Sequence, residues 1–157
     1  MFLRYFVELP LPSSEVERVL LGSPEHWLPH MAEDADAAGR TLLAEVGFGS
    51  TGMRVEKGVH IEVGHPVTLG AKTLLPIRWS ATGPEGLFPS MDADIEVASL
   101  GPNRTQLSLS GRYRPPLGKL GEAVDRAVLH RVAEAVVKDF LDRVAERVLA
   151  ATSPITG

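Results

Sequence analysis

The chain has 157 residues, 44% of them apolar and 23% charged, with a net charge of -4. This is the size and balance of one globular domain spanning 1–157, without the basic surplus that nucleic acid demands. No apolar run reaches the roughly 18 residues of a membrane span, and the absence of cysteine excludes disulfides, thiol catalysis and thiolate metal sites.

Leu3, Tyr5 and Val7 alternate with Arg4, Phe6 and Glu8, which predicts a first strand ended by Pro10 and Pro12. Residues Met1 to Tyr5 show no basic leader or cleavage site, and with no cysteine this predicts a cytoplasmic location. Ser14 and Glu17 fit a capping box, and Val16, Val19 and Leu20 share one helical face that Gly22 ends. Ser23-Pro24 starts a second short helix, with Trp27, Leu28, Met31 and Ala35 on its apolar face.

Strands follow at 41–46, 53–63, 67–73, 77–82, 91–100 and 105–113, joined by turns rich in Gly, Pro, Ser and Asn. Met91, Ala93, Ile95 and Val97 face away from Asp92, Asp94 and Glu96, and Leu107, Leu109 and Tyr113 from Ser108, Ser110 and Arg112. One apolar and one polar face per strand means an antiparallel sheet with a wet side. Pro76 is expected to break a strand and add a bulge or bend.

From about 119 to 150 the chain reads as one long helix. One apolar row runs Val124, Val128, Val132, Val136, Phe140, Val144, Val148, and a second runs Leu129, Ala133, Val137, Leu141, Ala145, Leu149. A fourth-residue row overshoots each turn by roughly 40°, so this seam winds around the helix. A helix gripped by a curved sheet needs such a seam; a kinked helix, or one whose two halves pack on different elements, also produces it. The order strand, two short helices, strands, long helix is α+β.

Val7-Glu8-Leu9-Pro10-Leu11-Pro12 leading into 16–20, and Gly111-Arg112-Tyr113-Arg114-Pro115-Pro116-Leu117-Gly118 leading into the long helix, carry a resemblance. The chain resembles the START-like superfamily (helix-grip, Bet v 1-like, polyketide cyclase/dehydrase), and within it a narrower bacterial subgroup. The resemblance covers essentially the whole chain. It implies a curved antiparallel sheet of six to seven strands around the C-terminal helix, two short helices after the first strand, and a cavity between sheet and helix. The superfamily holds carriers of lipids, sterols and aromatic compounds, polyketide aromatases/cyclases, and domains with iron centres or co-chaperone roles, so the fold does not select the activity.

Several constellations read as structure rather than chemistry. Gly47-Phe48-Gly49-Ser50-Thr51-Gly52 matches G-x-G-x-x-G but precedes a strand, not the helix a dinucleotide needs, and reads as a hairpin tip. His60, Glu62 and His65 could ligate a metal, yet His60 and Glu62 oppose the apolar face; no metal or cofactor is expected. Asp92, Asp94 and Glu96 share the polar face of one strand and read as solvated.

The expected function is binding or transport of a small hydrophobic molecule in an internal cavity. The alternative is an aromatase/cyclase or dehydratase-like enzyme in that cavity, which would need Arg78, Asp94 or His60 inward and buried. Trp79, Tyr113, Phe140, Trp27 and Met31 are the candidate ligand contacts, followed by Val136 and Leu69, with Arg78 reaching a polar end of the ligand if the strand twists near Pro76. A third reading is a partner-binding protein with an exposed apolar patch, which Phe2 or Phe6 facing outward would favour. The chain is expected to be a monomer or homodimer, with no nucleic-acid partner and no integral membrane segment.

Overall fold

The structure, a computed structural model, describes residues 2–28, 59–81, 90–114 and 126–152. Six strands form one curved, open antiparallel sheet: β1 (Phe2–Leu9), β2 (Val59–Val63), β3 (Val67–Leu69), β4 (Lys72–Ala81), β5 (Ser90–Gly101) and β6 (Arg104–Arg114). The order across the sheet is β1-β6-β5-β4-β2, and β3 also pairs with β4. The register matches the alternation of β1, β4, β5 and β6. Tyr5 stands opposite Leu109, Leu109 opposite Ile95, and Ile95 opposite Leu75, so the odd-numbered residues of β1, β4 up to Trp79, β5 up to Val97 and β6 share one inner face. A slip of one residue would send that whole set into water.

Two local features depart from the sequence expectation. The strand expected at 67–73 is a hairpin: Gly70, at φ 62°, and Ala71 turn the chain between β3 and β4. The expected break at Pro76 is absent, because β4 runs unbroken through it. β2 pairs with 77–81 and β3 with 72–74, so Pro76 falls where one partner ends and the other begins. Its carbonyl accepts from the Gly64 N–H at 2.8 Å on that same side. A residue's N–H and C=O point to the same side of a strand, so the N–H that proline lacks is one the ladder does not use.

Gly111 marks a close approach of β6 and β5. A Cβ there would lie 2.5 Å from the Ala93 Cβ and 2.7 Å from the Asp92 carbonyl oxygen. Facing Cβ atoms normally stand about 4.5–5.5 Å apart, so the strands converge on the inner side and only glycine fits.

Helix α1 (Ser13–Leu20) buries Val16, Val19 and Leu20. Its cap differs from the expected capping box. Pro12 is the N-cap with no side-chain hydrogen bond, and Ser14 lies inside the first turn. The Glu17 carboxylate instead accepts from the Thr73 hydroxyl at 2.9 Å, tying α1 to β4. Ser23 caps, without a side-chain hydrogen bond, a three-residue 3-10 helix (Pro24–His26) that leads into Trp27.

The long helix α2 (Arg126–Thr152) buries Ala133, Val136, Val137, Phe140, Leu141, Val144, Ala145 and Val148. Both apolar rows from 133 to 148 thus face the interior, each large side chain contributing about 1.5–3 kcal/mol. Across the helix His130 is exposed and pairs with Glu134 at 2.8 Å. No described helix is long and apolar enough to cross a membrane.

Candidate functional site

The strongest convergence of chemistry on the inner face is where β4 meets the middle of α2. Trp79 is 2% exposed, and its ring lies 5.5 Å from that of Phe140, tilted by 46°. Alternation on β4 turns Trp79 inward, and the fourth-residue seam of α2 turns Phe140 to meet it. The pair joins sheet to helix. The Trp79 Nε1 is buried and has no hydrogen-bond partner among the described residues. A buried indole N–H ordinarily finds an acceptor, and among the described residues this one has none.

The register extends the site sideways. Ile61 stands opposite Trp79, Trp79 opposite Met91, and Met91 opposite Tyr113, a row across β2, β4, β5 and β6. Met91 and Tyr113 are each 3% exposed. Ile61 and Met91 are absent from the residues selected by sequence. The alternation puts both on the apolar face, but only the pairing register reveals that they flank Trp79. Val136, one turn before Phe140 on α2, is buried as well.

Trp27 is fully buried after the 3-10 helix, and its Nε1 also lacks a partner among the described residues. The remaining candidates lie elsewhere. Arg78 is on the outer face, exposed and bonded through Nε to Asp92 Oδ1 at 2.9 Å, because its even position alternates with the inward Trp79. The expectation that it reaches an interior ligand is corrected accordingly. Leu69 is 57% exposed at the end of the short β3, away from the inner face. Met31 and the glycine-rich segment 47–52 lie outside the described residues, as does the side chain of His60. Glu62, His65 and Asp94 are exposed, and no group of three potential metal ligands occurs among the described residues.

Searches with the sequence match no protein-family model and no curated protein. Solved structures are similar throughout. A conserved protein from Geobacillus kaustophilus aligns with a TM-score of 0.55 at 14% identity, covering 96% of this chain and 97% of that one. A protein from Thermus thermophilus aligns at 0.51 and 17% identity, covering 98% and 100%. The Zhui aromatase/cyclase from Streptomyces sp. R1128 aligns at 0.50 and 17% identity, covering 100% and 98%. The chain has a helix-grip α+β fold. At these identities the likeness is one of fold. Within a helix-grip fold the Trp79–Phe140 contact is a point where the gripping sheet meets the gripped helix.

Proposed function

We propose that the chain binds a small, largely apolar molecule between the sheet and α2: a lipid, a sterol or an aromatic, polyketide-like compound. The observation that carries this reading is Trp79, an indole buried against Phe140 whose N–H has no acceptor among the described residues. A guest with a carbonyl or hydroxyl oxygen would supply the acceptor, and the row Ile61, Trp79, Met91 and Tyr113 would supply apolar surface at about 25 cal/mol per Å². The absence of cysteine suits a reducing compartment, and we assign this activity to the cytoplasm.

A catalyst of the aromatase/cyclase kind, the activity named for the Streptomyces neighbour, needs an acid or base facing the guest. Arg78 and Asp94, two of the groups that would have favoured it, are exposed on the outer face, so binding is the better-supported reading.

The test is native mass spectrometry of the full chain after incubation with fatty acids, sterols and aromatic polyketides. Retention of one class at one molecule per chain is the expected result. Retention of none, together with an unchanged melting temperature across the panel, overturns the reading.

A further inference from the structure

The outer face of β1 carries a combination found nowhere else on the described sheet. Phe2 is 66% and Phe6 54% exposed, and Arg4 stands exposed between them on the same face. Their neighbours on β6 leave the rings uncovered: Phe6 faces Ser108 and Arg4 faces Ser110, while Phe2 faces Arg112. Two aromatic rings are thus interleaved with two guanidinium groups.

The cations of this patch differ from the others on the face. Arg78 and Arg114 share Asp92, Arg104 pairs with Glu8, and Lys72 pairs with Glu96. Arg4 and Arg112 have no ion-pair or hydrogen-bond partner among the described residues. Beside the two phenylalanines, then, two cations lack an ion pair: Arg112 stands across from Asp92, whose carboxylate Arg78 and Arg114 already hold, and Arg4 lies two strands from the exposed Asp94. The surface therefore offers apolar side chains to insert and unneutralised cations to pair, the chemistry of an anionic lipid interface.

We infer that the outer face of β1 and the adjoining end of β6 form a peripheral docking surface for anionic lipid bilayers, with Phe2 and Phe6 entering the headgroup layer and Arg4 and Arg112 pairing with lipid phosphate or carboxylate. A second copy of the chain is the competing occupant, and the experiment below separates it from a bilayer. The net charge of -4 opposes approach to an anionic surface, but screening over about 8–10 Å leaves the local patch to decide close contact. The inference is independent of the interior binding proposed above.

The experiment is co-sedimentation of the full chain with phosphatidylcholine vesicles, with and without phosphatidylserine. Binding that requires phosphatidylserine and weakens with added salt is expected. Arg4→Gln and Arg112→Gln should each lower it about fivefold, and Phe2→Ser with Phe6→Ser should abolish it, all with unchanged melting because the four side chains are exposed. Failure to sediment with phosphatidylserine vesicles at low salt, or sedimentation unaltered in these variants, overturns the inference. Dimerisation in light scattering that Phe2→Ser and Phe6→Ser abolish, without vesicle binding, also overturns it, in favour of a second copy.

Discussion

The Tyr5 hydroxyl donates to Asp142 Oδ1 at 3.0 Å and so fastens β1 to the solvent-side flank of α2. Lys138 approaches the other oxygen of the same carboxylate at 3.3 Å. Apolar packing holds the helix against the sheet but has no direction. This bond, spanning 137 residues of sequence, adds a directional tie between the first strand and the last helix.

Removing it gives the first prediction. Tyr5→Phe should cost about 1 kcal/mol in urea denaturation, the net value of one hydrogen bond at a half-buried site. A cost near zero would mean that the bond adds nothing to the packing of α2 on the sheet.

The same link carries a pH dependence. Burial first, then the bond to Asp142, raises the Tyr5 pKa above 10.0. Lys138 is raised above 10.5, chiefly by its bond to Asp142. For both groups the protonated form is favoured in the folded state. Their contribution is complete below the unfolded pKa and is lost as pH rises through the folded one. The wild-type melting temperature should therefore fall more steeply above about pH 10 than that of Tyr5→Phe, and the two profiles should run parallel at neutral pH.

Thr73→Val tests the tie between α1 and β4. It preserves shape on a strand that favours β-branched residues but strands the Glu17 carboxylate, with an expected loss of about 1–2 kcal/mol. Adding Glu17→Gln should recover part of that loss, a non-additivity visible in a double-mutant cycle.

Gly111→Ala should destabilise by about 1–3 kcal/mol or more, since the methyl group meets Ala93 and the Asp92 carbonyl at less than contact distance. Ala93→Gly cannot fully rescue it, because the clash with backbone atoms at 2.7 and 2.8 Å remains. Full rescue of the melting temperature would contradict the geometry.

Trp79→Phe keeps an aromatic ring beside Phe140 and removes the N–H. If the guest accepts from that N–H, its affinity should fall about tenfold by titration, as loss of one buried hydrogen bond predicts. Unchanged affinity would assign Trp79 to packing only.

How much of this is legible in the sequence follows from the range of each interaction. The alternation on β5 and β6 and the rows of α2 are set by short periods, and the apolar positions at 91–97, 107–113 and 133–148 point as they read. Pro76 reads as a break because its tolerance depends on where β2 stops and β3 starts, a pairing fact. Gly70 is hidden inside a run of strand-forming residues, although its positive φ makes the hairpin. Glu17 matches a local cap but takes a partner 56 residues away. At the site, Trp79 and Phe140 follow from their own periodicities. Arg78 turns inward only on the premise of a twist that an unbroken β4 does not supply, and Met91 becomes Trp79's neighbour through register alone.

Pro76 has one more consequence. The stretch of β4 between its two partners, Leu75 and Pro76, is a two-residue gap in the pairing along that margin, where an unpaired donor or acceptor would be left over. At this gap the proline offers no donor and its acceptor is already taken by Gly64. Pro76 so leaves no unpaired backbone group of its own where β4 changes partner from β3 to β2.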